Sequence, residues 1–153
     1  MMHTILVSAC LLGKPCRYDG GSKPNEAVTA LCKSFHCIPV CPESMGGLPI
    51  PREPSEVCGN RVISRDGRDV TAAYRAGAEA VLALAQKHRC RFAVLKERSP
   101  SCGRDFVYDG TFTKTLIPGN GITTELLQQN GIHVFGESEI AALLEAIKNE
   151  GTC

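Results

Sequence analysis

Two rhythms of apolar positions alternate along the chain. Short β-rich runs lie at residues 5 to 9, 36 to 40, 92 to 95 and 132 to 135, each bounded by turn-forming residues. Between and after them the spacing turns helical. Ala27, Val28, Ala30, Leu31 and Phe35 predict a helix over residues 25 to 35, entered at Pro24 and Asn25. Asp69, Val70 and Thr71 open a longer helix ending near His88, with Ala72, Ala73, Ala76, Ala80, Val81, Leu84 and Ala85 expected on its apolar side. Residues 123 to 129 and 138 to 149 complete the set, the last with Ile140, Leu143, Leu144 and Ile147 inward. Strands alternating with helices predict an α/β chain, a three-layer Rossmann-like fold with a mainly parallel sheet of about four strands.

The connections carry their own signals. Pro42 is expected to stop the second strand. Residues 44 to 68 are rich in glycine and proline and read as a long ordered loop with a short hairpin around residues 61 to 63. Asp109-Gly110 predicts the turn of a small β-hairpin over residues 106 to 112. Neither a repeat nor a linker interrupts residues 1 to 153, so one α/β domain is expected.

Charge narrows the function classes. Seventeen Lys and Arg against sixteen Asp and Glu give a net charge of +1, so no global field recruits nucleic acid or an acidic membrane, though a local basic pocket is compatible. No stable nucleic-acid partner and no membrane contact are expected. The N-terminal residues lack the pattern of a secretory signal, and the chain reads as cytoplasmic.

Nine cysteines are many for 153 residues, and an odd number without a secretory signal argues for metal or catalysis rather than a disulfide framework. Cys32, Cys37 and Cys90 fall in apolar or helical stretches and read as small hydrophobes. Cys10 and Cys41 directly follow the first and second strands, and Cys102 lies seven residues beyond the third. Parallel α/β sheets bind ligands at the carboxyl ends of their strands, where loops converge. Three thiols carried there predict one site. Their separations of 31 and 61 residues contain no local finger such as C-x2-C. Soft thiolates suit zinc, copper(I) or an iron-sulfur cluster, and three ligands without a fourth suit a catalytic centre with an open position. A metal-free thiol site remains an alternative. Cys16 is either a further ligand or a wall of the pocket; Cys58 and Cys153 have weaker claims.

The motifs together resemble the DUF523 family, which includes thiouracil desulfidases: residues 8 to 13 (S-A-C-L-L-G), 17 to 20 (R-Y-D-G), Cys41-Pro42-Glu43, residues 46 to 49 (G-G-L-P) with Pro51 and Arg52, Leu95-Lys96, residues 99 to 103 (S-P-S-C-G) and residues 108 to 110 (Y-D-G). The resemblance spans about residues 4 to 136. It implies a cytosolic enzyme whose [4Fe-4S] cluster, held by Cys10, Cys41 and Cys102, takes sulfur from a thiolated pyrimidine, leaving uracil and sulfide without net electron transfer. Glu43, two residues from Cys41, is then the expected proton carrier, with Ser101 and Ser99 beside Cys102 as relays or partners of the cluster. Arg17, Tyr18, Arg52 and Lys96 are the expected binders of a thiolated base or nucleotide. The rival reading is a non-catalytic iron-sulfur or zinc carrier or sensor. A metal-free thiol oxidoreductase would lack its usual C-x-x-C.

Overall fold

The computed structural model describes residues 3 to 150. In chain order the elements are β1 (Thr4–Ser8), α1 (Glu26–Ser34), β2 (His36–Val40), α2 (Pro42–Met45), β3 (Ser55–Cys58), β4 (Arg61–Ser64), α3 (Thr71–Lys87), β5 (Phe92–Leu95), β6 (Phe106–Tyr108), β7 (Leu116–Pro118), α4 (Ile122–Gln129), β8 (His133–Gly136) and α5 (Ile140–Glu150), with 3-10 turns at Ala9–Leu12 and Glu137–Glu139.

The four expected strands form one parallel sheet in the order β2-β1-β5-β8. Both inner strands are buried on both faces, which is why residues 5 to 7 and 92 to 95 read as unbroken apolar runs. Their side chains still alternate. Ile5, Val7, Phe92 and Val94 pack with Val28 and Leu31 of α1 and Leu143 and Ile147 of α5. Leu6, Ala93 and Leu95 pack with Val81 and Ala85 of α3 and Leu127 of α4. Each large apolar side chain fully buried in these layers stabilises the fold by about 1.5–3 kcal/mol. The chain leaves β1 toward β2 and later returns to β5 on the other side of β1, so the loops after β1 and β5 part company and open a crevice between them.

Several expectations are corrected. Helix α3 buries Val81 and Ala85 as expected, but its inward face is rotated toward Tyr74 and Ala78, which complete an i, i+4, i+7, i+11 series, while Ala72 and Ala76 face solvent. Alanine's small apolar surface tolerates either environment, and the larger Tyr74 and Val81 set the register. Of the positions expected inward on α5, Leu143 and Ile147 are buried and Ile140 packs against the same core, whereas Leu144 is exposed. The hairpin expected to turn at Asp109-Gly110 instead pairs Phe106 with Pro118 and Tyr108 with Leu116, leaving residues 109 to 115 as a longer loop. The hairpin expected around residues 61 to 63 does form, from β3 and β4, and turns at Gly59 and Asn60. Cys32 and Cys37 are not separate hydrophobes; they are joined as a disulfide, the turn from α1 into β2 bringing their Cα atoms to 5.4 Å. Cys90 is buried in the core as expected.

Proline at 42 does more than end β2, since it occupies the first turn of α2, where its missing N–H costs nothing. Helix α2 then lies directly on α3. A Cβ at Gly77 would overlap the Pro42 carbonyl oxygen, and one at Gly46 the Ala73 carbonyl oxygen. Gly77→Ala is therefore expected to destabilise by about 1–3 kcal/mol through overpacking, seen as a fall of several degrees in Tm by calorimetry. Helix propensity alone predicts the opposite sign.

Candidate active site

The crevice at the carboxyl ends of β1, β2 and β5 is a cavity of about 540 Å³, lined among others by Cys10, Cys16, Cys41, Glu43, Ser101 and Cys102. Three loops build it. After β1, the 3-10 turn carries buried Cys10, and the chain doubles back: the Lys23 N–H reaches the Cys10 carbonyl at 2.9 Å and the Asn25 N–H the Leu11 carbonyl at 3.0 Å. This return brings Cys16 into the same wall as Cys10 and Cys41, the Cys41 thiol donating to the Cys16 carbonyl at 3.7 Å. After β2, Cys41 caps α2, which presents Glu43.

The third loop must fold back to bring Cys102 home, and its own hydrogen bonds do so. The Ser99 Oγ accepts the N–H groups of Ser101 and Cys102, both at 3.1 Å. The loop also serves as the N-terminal cap of α4, whose Ile122 and Thr123 N–H groups donate to the carbonyls of Pro100 (3.0 Å) and Ser101 (2.8 Å). Gly121 permits this approach, since a Cβ there would come within 2.6 Å of the Ser101 carbonyl oxygen. Thr124 Oγ1 donates to the Cys102 carbonyl at 2.7 Å. The Cys102 thiol ends buried, accepting from the Ser101 hydroxyl at 3.5 Å, with Ser8 at the end of β1 in the same wall.

Glu43 is the hub of the polar residues. Its Oε1 receives Arg52 Nε at 3.0 Å and its Oε2 receives Ser101 Oγ at 2.9 Å. Ser99 Oγ lies 2.9 Å from Ser101 Oγ, extending the chain of hydroxyls, and Ser101 Oγ lies 3.5 Å from Cys102 Sγ. The sequence-predicted Glu43, Ser99, Ser101 and Cys102 thus form one connected network.

The four expected substrate binders divide. Arg17, stacked 5.7 Å from the centre of the Tyr18 ring, and Tyr18 itself line the cavity with no carboxylate partner for Arg17 among the described residues. Arg52 is nearly buried and directs its guanidinium at the protein: besides Glu43, it donates to the carbonyls of Pro49 and Cys16, both at 3.0 Å. Lys96 is held by Glu137 Oε2 at 2.7 Å and the Glu97 carbonyl at 3.3 Å. Cys58 is exposed on β3, and Cys153 lies outside the described residues.

Two buried residues of the cavity wall escape the sequence reading. Tyr74 of α3 lines the same wall as Glu43 and Ser55, and burial, with the negative charge of Glu43, pushes its phenol well above its ordinary value. Glu56 of β3 accepts the N–H groups of Gly110 and Phe112, both at 3.0 Å, and so fastens the loop of residues 109 to 115 over the cavity. Tyr74 is the one aromatic position of α3, a signal masked by the alanines around it; Glu56 carried no local signal.

The donor set suits a soft metal group. Burial pushes the Cys102 thiol up to about 12. The Cys41 thiol is also raised, first by its hydrogen bond with Cys16 and then by burial. That with Cys16 lowers Cys10 and raises Cys16 in turn. Thiols crowded in this way ionise together only when a cationic group supplies the countercharge. Among the described residues, no three His, Cys, Asp or Glu side chains are arranged to hold a metal ion as they stand. Thiolates that bind separate corners of an iron-sulfur cluster stand farther apart than ligands of one ion.

Comparison with known proteins agrees with this site. The chain is 39% identical over 150 residues to the uncharacterized protein YbbK of Bacillus subtilis (strain 168), covering 92% of this chain and 99% of that protein. Its structure resembles that of a [4Fe-4S]-dependent thiouracil desulfidase, TudS, with a TM-score of 0.91 at 45% identity, over 95% of this chain and 98% of the other. No helix among the described residues is long and apolar enough to cross a membrane. The model of the 2-thiouracil desulfurase family matches residues 5–139, and the chain belongs to that family.

Proposed function

We propose that this protein is an iron-sulfur-dependent desulfidase that converts a thiolated pyrimidine such as thiouracil to uracil, releasing sulfide. The observation that supports this most is the convergence, in one cavity, of the thiols of Cys10, Cys41 and Cys102 with the hydrogen-bonded pair Glu43 and Ser101. A [4Fe-4S] cluster held by those three thiolates would leave one iron without a protein ligand, supplying a Lewis acid for a thiocarbonyl sulfur.

The chain's own residues handle protons and orientation. Exchanging C=S for C=O consumes one water and releases one hydrogen sulfide, with no net oxidation. Glu43 takes the proton of the attacking water, and Ser101 and Ser99 carry protons along the hydroxyl chain toward the departing sulfur. Arg52 braces Glu43 rather than touching substrate, since each of its three guanidinium nitrogens donates to a protein acceptor and its side chain is nearly buried. Arg17 and Tyr18 take the ring and its polar edge, while Lys96, paired with Glu137, contributes positive charge near Cys10. We place the enzyme in the cytoplasm, where the thiols of Cys10, Cys41 and Cys102 stay reduced.

The test is anaerobic purification followed by iron and acid-labile sulfide determination. About four of each per chain is expected from the cluster stoichiometry. Zinc, or colourless protein that takes up no iron on reconstitution, contradicts the proposal.

A further inference from the structure

We propose that Phe112 is a substrate-binding residue, closing the cavity over one face of the thiolated ring, and that Glu56 is the positioning residue that holds it there. The inference rests on the reading of the cavity as a thiolated-pyrimidine site and adds the residue that selects a flat ring.

The loop of residues 109 to 115 joins β6 to β7, and threonines form its outer side. Thr111, Thr113 and Thr115 are exposed, their hydroxyls linked in succession at 2.6 and 2.8 Å. Between them, Phe112 and Lys114 line the cavity. Of residues 111 to 119, only Phe112 is not exposed. It and Lys114 each have a φ of 59°, a left-handed conformation that bulky side chains rarely adopt and that persists only where the surroundings impose it.

Glu56 imposes it. Its Oε1 accepts the N–H groups of Gly110 and Phe112, both at 3.0 Å. Gly110 itself lies against β3, where a Cβ would come within 3.1 Å of the Val57 carbonyl oxygen. The Asp109 N–H closes the base of the loop on the Thr115 carbonyl at 2.9 Å. Glu56 is 8% exposed. Burying a carboxylate is costly unless donors meet it, and the donors that meet this one are the amides that set the Phe112 conformation.

The ring so placed suits a heterocycle. Tyr18, also in the cavity wall, carries the Arg17 guanidinium over its ring at 5.7 Å. Phe112 brings an apolar ring with no hydroxyl to satisfy, so what it offers a ligand is a π face. Stacking on such a face holds a base without reading its substituents, and leaves the thiocarbonyl sulfur free for the reacting centre.

A double-mutant cycle on the iron-loaded protein tests the assignment. Phe112→Leu keeps an apolar side chain but has no π face. It should raise KM for 2-thiouracil, and weaken calorimetrically measured binding of uracil, by about 10-fold or more, the loss expected for one base–aromatic stack. Iron content, Tm and kcat should change little, and Phe112→Tyr should restore both KM and affinity. Glu56→Ala should speed hydrogen exchange in the segment carrying Gly110 and Phe112, read by mass spectrometry, and raise KM as Phe112→Leu does. The double variant should then be no worse than either single one. Should Glu56→Ala not fold, Glu56→Asp, one methylene too short to reach the loop, carries the same expectations. Wild-type KM and uracil affinity in Phe112→Leu, unchanged exchange in the Glu56 variant, or KM losses that multiply in the double variant overturn the proposal. If the wild type itself releases no sulfide from 2-thiouracil, the desulfidase reading fails, and hydrogen exchange still decides whether Glu56 holds the loop.

Discussion

Cys102→Ala is expected to yield a folded protein that binds essentially no iron. The fold should survive because what holds this loop is independent of the thiol: Ser99 organises its backbone, and α4 is capped by its carbonyls. The thiol is buried beside Ser8 and Ser101, whose hard hydroxyl oxygens are poor replacements for a soft thiolate ligand. Cys10→Ala and Cys41→Ala should behave alike, with iron content near zero and visible absorption lost. Three other variants bound the claim. Cys58→Ser and Cys90→Ala should keep full iron, the first exposed on β3 and the second packed in the core. Cys16→Ser should also keep iron. Its loss there would make Cys16 a fourth ligand, which its contacts with Cys10 and Cys41 place within reach.

Glu43→Gln is expected to keep iron and lower kcat by about 10²–10⁴-fold, the usual contribution of a positioned acid or base. The amide preserves shape and can still accept from Ser101, but it cannot take a proton. The variant also removes the negative partner of a guanidinium whose side chain is 6% exposed. Leaving a buried charge unpaired costs up to about 3–5 kcal/mol, reduced here because the Pro49 and Cys16 carbonyls still hold Arg52. A fall in Tm should therefore accompany the loss of rate. Adding Arg52→Met to Glu43→Gln should recover much of the Tm and none of the rate, which separates chemistry from stability in one pair of thermal and kinetic measurements.

The sheet was legible because its inner strands are buried on both faces and so appear as short apolar runs; observed and expected bounds differ by about one residue. The carboxyl-end rule carried Cys10 and Cys41 directly to the cavity, since each follows its strand. Cys102 needed a loop that folds back, and that fold lies in the Ser99 hydroxyl and the α4 cap, long-range features no periodicity reveals. The inward face of α3 was hidden by its alanines, and with it Tyr74. The pairing of Cys32 with Cys37 depends on the angle between α1 and β2, which sequence spacing leaves open. Arg52 shows the same limit from another side: its type and place suggested an anion binder, yet its partners are Glu43 and two carbonyls.

The central claim is non-redox exchange of sulfur for oxygen in the cavity that joins Cys10, Cys41 and Cys102 to Glu43. It is tested most directly by incubating anaerobically purified, iron-loaded protein with 2-thiouracil and no added electron donor, then quantifying uracil and sulfide together. One uracil per sulfide over many turnovers, abolished in Cys102→Ala, is the predicted result. Sulfide released without uracil, a requirement for reductant, or full turnover in Cys102→Ala would contradict it.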